Sequence, residues 1–180
     1  MVTSNPSPGY IYRVSKVFEN NGVGVRGDMS AVVRAILLDY EARSFDVAQR
    51  TSFGKLKEPI LRATALFRAF EASSNYYGRI YIANPESNLA QAPMRSPTVF
   101  NFFEPNFTIS GPIAEAGLYS PEFQITTDVT AVTQPNFYYT YIYNTRSTTD
   151  MTQQVVGLNL TPLLPLAKTP TQLVSYISLL

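Results

Sequence analysis

Two glutamates beside an aromatic loop are the residues of this 180-residue chain best suited to chemistry. The chain contains no histidine and no cysteine, so a pair of carboxylates is the one general acid and base system open to it. Glu104 and Glu122, with Arg95 and Asn101 near the same loop, form the candidate polar cluster. Two carboxylates a few ångströms apart can cleave a glycosidic bond, and this would be the chemistry of such a cluster.

The same residues also fit two other interpretations. Glu122 lies in the first turn of a predicted helix, where a negative charge is favourable in any case. Arg95 would then pair with Glu122 and hold the loop, or the cluster would contact a ligand without reacting with it. We favour the structural role, and the sequence leaves the catalytic residues unknown.

The missing residue types exclude several classes of function. Without cysteine and histidine there is no basis for a zinc finger, a Ser-His-Asp triad or a Cys-His nucleophile, and no metal site is predicted. No glycine-rich phosphate loop is present, so we expect no cofactor. A net charge of +1, with 14 basic and 13 acidic residues, argues against nucleic acid as a partner.

The low content of charged residues points to a protein partner. Charged residues make up 15% of the chain, against about 25% in a typical soluble domain. Part of the surface is therefore expected to be covered by polypeptide, through self-association or through a missing remainder of a longer protein. The aromatic run of residues 137–143 could stack on a sugar, but we favour a core and interface role for it.

Helices dominate the elements that must position these residues. Ser7 and Pro8 predict a helix start, and Asp28 predicts the cap of a second helix that carries apolar residues at helical spacing through Tyr40. A third helix is expected from Pro59 to about residue 72. The tripeptide of residues 26–28, Arg-Gly-Asp, matches an integrin-binding motif, but we interpret it as a turn followed by the Asp28 cap.

Prolines restrict the middle of the chain. Between residues 84 and 121 they forbid any long regular element except one short helix at about residues 98–103. The four phenylalanines of this long proline-rich loop favour a loop that is packed by its own side chains. Residues 76–83 alternate loosely, which leaves open one short extended segment there. The prolines that define the loop are Pro85, Pro93, Pro97, Pro105, Pro112 and Pro121.

The C-terminal third again predicts helices. One should run from Ser120 to about residue 143 with a kink or break at Pro135, and capped starts are expected at residues 161–162 and 169–170. The last helix ends on residues 179–180, two leucines without a stop signal, and so looks cut. The fold class is therefore all-α in a single domain over residues 1–180.

Several segments stand out in order along the chain. They are residues 2–8 (VTSNPSP), 24–28 (GVRGD), 32–39 (VVRAILLD), 41–43 (EAR), 54–59 (GKLKEP), 91–105 (QAPMRSPTVFNFFEP), 117–118 (GL) and 120–124 (SPEFQ). Together these segments resemble the domain of unknown function 1800 family.

The resemblance implies a mostly helical bacterial protein, often exported to the periplasm or beyond the cell, with no agreed activity and no established catalytic residues. Family members are longer, and these segments belong to their C-terminal portion, so we expect a C-terminal fragment of a larger helical protein.

Two functions remain open. The first is a structural or interaction module of a larger exported protein. The alternative is part of a hydrolase that acts on polysaccharide or ester substrates. The N-terminus lacks the pattern of a secretory signal, no apolar run reaches the roughly 20 residues that span a membrane, and the location of the protein is left unknown.

Overall fold

The computed structural model describes residues 2–143 and 155–178, and these fold mainly as helices. The all-α expectation is therefore confirmed. In chain order the helices are α1 (Pro8–Glu19), α2 (Met29–Leu38), α3 (Tyr40–Arg43), α4 (Phe45–Ala48), α5 (Pro59–Ala69), α6 (Pro85–Leu89), α7 (Pro112–Glu115), α8 (Asp128–Tyr143) and α9 (Pro170–Ile177). Within the described ranges, 3-10 helices span Pro121–Ile125, Thr161–Leu163 and Leu166–Lys168.

The chain divides into two compact units, and each is interrupted in sequence. The first unit combines Met1–Leu56 with Phe103–Gln124, and the second combines Lys57–Phe102 with Ile125–Leu180. The expectation of one domain over the whole chain stays a prediction.

In the first unit, α1 and α2 pack against each other. Helix α1 begins as predicted, because the Ser7 hydroxyl accepts a hydrogen bond from the amide of Tyr10 at 3.0 Å and Pro8 needs no partner for its nitrogen. The Tyr10 side chain is buried, and its hydroxyl donates to the carbonyl of Ile36 on α2. This contact fixes one helix on the other.

Helix α2 ends earlier than its apolar spacing predicted. The pattern continues to Tyr40, but Asp39 leaves the helical conformation, with ψ at 148°, and its side chain accepts a bond from the amide of Glu41. A new short helix, α3, therefore begins at Tyr40. Ser44 caps α4 in a similar way, because its side chain accepts a bond from the amide of Val47. Helix α4 was not predicted from the sequence.

In the second unit, an apolar core joins α5, α6 and α8. Its buried members are Ala63, Phe67, Leu89, Phe137 and Val156. Helix α8 is held on α5 by the Tyr138 hydroxyl, which donates to the carbonyl of Pro59 at 2.8 Å. Two antiparallel strands of two residues each, β1 (Ser73–Ser74) and β2 (Val156–Gly157), close one side of this unit.

The aromatic run of α8 divides between core and surface. Phe137 is buried, whereas Tyr139 and Tyr143 are exposed and lie against each other with ring centroids 4.7 Å apart. Helix α5 is shorter at its end than predicted, since it ends at Ala69.

The break in the helix predicted for residues 120–143 falls before Pro135, not at it. A 3-10 helix, Pro121–Ile125, is followed by a new start in which Thr127 and Thr130 exchange amide-to-hydroxyl bonds at 2.7 and 3.3 Å. This pairing satisfies amides that a continuous helix would have bonded internally. Pro135 lies inside α8.

Two short elements predicted in the middle of the chain were wrong in position. Residues 98–103 form a turn rather than a helix, because Asn101 has φ +74° and its amide donates to the Thr98 carbonyl at 3.2 Å. Residues 76–83 carry no strand, since Tyr77 and Gly78 both have positive φ and turn the chain. The short strand lies just before, as β1, and the proline-rich region itself contains α6 and α7, which were not predicted.

The predicted starts at residues 161–162 and 169–170 are present, but neither Leu160 nor Thr169, at the two cap positions, makes a side-chain cap bond. None of the residues of α9 is buried. The expectation about residues 179–180 falls outside the described residues. In the described part of the chain, no helix has both the length and the apolar character needed to cross a membrane.

Candidate functional site

Glu122 is held in the first unit by a locally fixed backbone. Ser120 before it is buried, its amide donates to the Phe107 carbonyl at 2.8 Å, and its hydroxyl accepts from the amide of Ile109 at 2.8 Å. Pro121 then starts a 3-10 helix. The Glu122 residue is only 5% exposed, so this carboxylate is almost removed from solvent.

The N-terminal segment is tied to two distant parts of the same unit. The amide of Ser4 donates to the Gly54 carbonyl at 2.9 Å, and the Thr3 hydroxyl both donates to and accepts from the Gly54 backbone at 3.1 Å. The Asn5 side chain makes a matching pair of bonds to the carbonyl and amide of Tyr119, each at 2.9 Å. These bonds bring residues 3–5 beside Glu122.

Glu122 uses both of its oxygens. Lys55 Nζ lies 3.2 Å from Oε1 in an ion pair, and the Ser4 hydroxyl donates to Oε2 at 2.9 Å. The side chains of Lys55 and Glu122 are 17% and 6% exposed. A hydroxyl, a carboxylate and an ammonium group therefore meet in a poorly solvated place, where hydrogen bonds to charged groups are strongest.

A cavity of about 340 Å³ opens beside this ion pair, and we call it the Glu122 pocket. Its walls are residues 4–5, residues 51–56, Ile113 and residues 118–120 and 122–123. Among the described lining residues Glu122 is the one acidic side chain. The pocket is thus lined by one balanced pair of charges, several hydroxyls and backbone groups, and apolar or aromatic side chains.

A second charged network holds α1 to α3. The Arg13 guanidinium donates to both oxygens of Asp39 at 2.6 and 2.8 Å and to Glu41 Oε1 at 2.9 Å. The Ser7 hydroxyl also donates to Glu41 at 2.7 Å. The hydrogen bonds from Arg13 hold the pKa of both carboxyls below the ordinary value, and for Glu41 the bond from Ser7 adds to this. Both acids are thus fixed as carboxylates by a structural network.

Between the N-terminal segment, α1 and α2 lies an apolar depression of about 410 Å³, which we call the α1–α2 groove. No charged side chain is among its described lining residues. Ile11 and Phe18 on α1 are 56% and 41% exposed. The lining residues are Val2, Thr3, Pro6, Tyr10, Ile11, Val14, Ser15, Phe18, Val32 and Ile36.

The four residues of the predicted polar cluster have different surroundings. Glu122 lies in the Glu122 pocket, and Glu104 in the same unit is exposed, with its amide bonded to the Gln124 side chain at 2.7 Å. Arg95 and Asn101 belong to the second unit. The ion pair that Arg95 makes is with Glu86, at 2.5 Å, and the ion pair described for Glu122 is with Lys55.

Asp28 sits at the N-terminus of α2. Its carboxylate accepts from the amides of Ser30 and Ala31 at 3.0 and 3.2 Å and from the Asn21 side chain at 2.8 Å. The bond from Asn21, followed by the bond from the Ala31 amide, lowers the pKa of this carboxyl. Gly27 before it has φ +76°, as the turn in the Arg-Gly-Asp sequence requires.

No group of three or more acidic side chains in the described residues is arranged to hold a metal ion. Sequence patterns did not identify Ser4 and Lys55 as partners of Glu122, nor Arg13 as the partner of Asp39 and Glu41. A signal was present for the first pair, since both residues lie in segments that carry the family resemblance. No spacing rule links positions so far apart in sequence.

Comparison with protein families gave one match. A family model described as "Protein of unknown function (DUF1800)" matches residues 1–177, which is nearly the whole chain. Comparisons with curated proteins and with solved structures gave no match.

Proposed function

We propose that this chain, which belongs to the DUF1800 family, acts as an interaction module whose α1–α2 groove binds an apolar helix of another polypeptide. The observation that carries the proposal is the groove itself, an uncharged depression flanked by exposed apolar side chains. Apolar helices commonly bind in such grooves through residues three or four positions apart. A surface of this kind is costly to leave in water.

The chain supplies a helix of the right kind in α9. None of its residues is buried, and its sequence, PTQLVSYI, carries no charged side chain. Val174 and Ile177, three residues apart, are 67% and 45% exposed and share one face of the helix. Because neither the helix nor the groove carries a charge, their contact would remove no unpaired charge from water.

We therefore assign the groove to α9 of a second copy of the chain. If each copy offers both parts, the exchange is mutual and closes as a symmetric dimer. Fully burying an exposed Val or Ile side chain contributes roughly 1.5–3 kcal/mol. Val174 and Ile177 are already partly buried, at 67% and 45% exposure, so each contributes less than this, and the exchange would bury this pair in each direction. The remainder of a longer exported protein is the competing occupant.

Light scattering across a concentration series tests this assignment. We expect a dimer that dissociates on dilution. Ile11→Asp in the groove and Val174→Asp on α9 should each shift the equilibrium towards monomer, because each places a charge in the apolar contact. Val129→Asp is the matched control, since Val129 is 67% exposed on α8 and lies outside both surfaces.

A dimer that survives both Asp variants would refute the groove as the interface. A monomer at every concentration would refute the second copy as occupant and favour a different polypeptide. Circular dichroism on each variant confirms that the helices are retained.

The hydrolase alternative has one supporting observation, the burial of Glu122 beside a cavity. A pair of carboxylates for glycoside hydrolysis needs a second acid within about 5–10 Å. The described neighbours of the Glu122 carboxylate are a hydroxyl and an ammonium group, and these suit binding better than acid and base catalysis. We therefore rank binding first.

A further inference from the structure

We propose that the Glu122 pocket is a binding site for a neutral polyhydroxylated ring, such as one sugar unit of a carbohydrate. The site is separate from the α1–α2 groove and does not depend on the function proposed for that groove. Its volume of about 340 Å³ lies within the range of small-molecule sites in proteins.

The Glu122 carboxylate can accept more hydrogen bonds than it receives from its described partners. An ionised carboxylate offers about four acceptor positions, and Lys55 and the Ser4 hydroxyl occupy two of them. Glu122 lines the pocket and keeps 5% of its surface exposed, which is room for one ligand hydroxyl at a free acceptor position. Such a bond to a charged acceptor is short and strong.

The balance of charge favours a neutral ligand. A cation would be attracted by Glu122 but repelled by Lys55, whose nitrogen lies 3.2 Å from the carboxylate oxygen. An anion would be attracted by Lys55 but repelled by Glu122. Hydroxyl groups avoid both, because they donate to the carboxylate without bringing a charge into a poorly solvated site.

The remaining walls suit a ring with an apolar face. Phe53, Leu56, Leu118 and Phe123 line the pocket, together with Tyr119. Carbon-bound hydrogens of a sugar ring can pack on these side chains while its hydroxyls turn towards Glu122. Sites of this kind are mostly apolar, and a few polar groups fix the orientation of the ligand.

Ligand-observed NMR on the full chain tests the proposal with three probes of similar size. Glucose is the neutral probe, glucosamine the cation and glucuronate the anion. We expect saturation transfer to glucose at millimolar concentrations and weaker transfer to both charged probes. Glu122→Gln should weaken glucose binding about tenfold or more, because a charge-assisted hydrogen bond is lost.

Two further variants separate binding from folding. Tyr119→Ala should also weaken glucose binding, and it should leave the fold intact because Tyr119 is 52% exposed and its bonds to Asn5 come from the backbone. Glu104→Gln, at an exposed glutamate of the same unit, should change nothing. The Tyr119 variant keeps the test valid even if Glu122→Gln does not fold.

Three outcomes would overturn the proposal. They are no transfer to glucose, glucose binding that is unaffected by both the Glu122 and the Tyr119 variants, and preferred binding of either charged probe. Glucose binding that Glu122→Gln and Tyr119→Ala both weaken, and that Glu104→Gln leaves unchanged, would support it.

Discussion

A double-mutant cycle on Lys55 and Glu122 tests whether their ion pair holds the first unit together. The changes are Lys55→Met, Glu122→Gln and both together. Each single variant leaves one partner poorly solvated and without the other, whereas the double variant removes both charges. We expect the unfolding free energy lost by each single variant to exceed half of that lost by the double variant.

The magnitude follows from the geometry. Unit charges 3.2 Å apart attract by roughly 5 kcal/mol at an effective dielectric constant of about 20. Removing the two groups from water offsets much of this, and Lys55 keeps 17% exposure, so we expect a coupling free energy of about 2 kcal/mol. Urea unfolding followed by circular dichroism measures it.

The control is the same cycle with Glu104→Gln in place of Glu122→Gln, which should show additive effects. Additive effects for Lys55 and Glu122, within about 0.5 kcal/mol, would refute the reasoning. The ion pair would then contribute nothing beyond what each residue does alone.

Two further predictions concern the core and the pH dependence. Leu89→Ala should cost about 2–5 kcal/mol of unfolding free energy, because Leu89 is fully buried, while Leu61→Ala at a 47% exposed position should cost far less; urea unfolding compares them. Asp39 and Glu41 have pKa values lowered by Arg13, so they stabilise the fold fully above the ordinary carboxyl pKa of about 4. This stabilisation is lost as the pH falls through the lower folded values. The free energy of unfolding of Arg13→Gln, measured in urea across a pH series, should therefore lie furthest below that of the unmodified chain near neutral pH and closest to it in strong acid. A difference that stays constant across the series would contradict the assignment.

Helix starts were predicted correctly where the capping residue lies next to the start in sequence. Ser7 with Pro8 and Asp28 have the residue types that cap helices, and α1 and α2 begin beside them. The prediction failed where a second cap interrupts the apolar spacing. That spacing continues past Asp39, but α2 ends there, because the Asp39 carboxylate caps α3 through the amide of Glu41. Arg13 of another helix also binds this carboxylate.

The site was harder to predict than the helices. The lack of histidine and cysteine pointed to Glu122. Ser4 and Lys55, however, approach it from sequence separations of 118 and 67 residues, and no periodic pattern connects such positions. Backbone conformation was the other feature that could not be predicted from the sequence. The left-handed conformation of Asn101, which is exposed, turned a predicted helix into a turn, and nothing in the local pattern of apolar residues signals that choice.

The interleaving of the two units has a consequence for synthesis of the protein. Each unit is built from two segments that are separated by a segment of the other unit, so neither can be completed as one uninterrupted stretch of chain. At a translation rate of roughly 5–20 residues per second, Ser4 is synthesised several seconds before Glu122, which follows 118 residues later. During that interval the α1 and α2 segments leave the ribosome without the residues that complete their unit. A premature stop before residue 122 would leave both units incomplete.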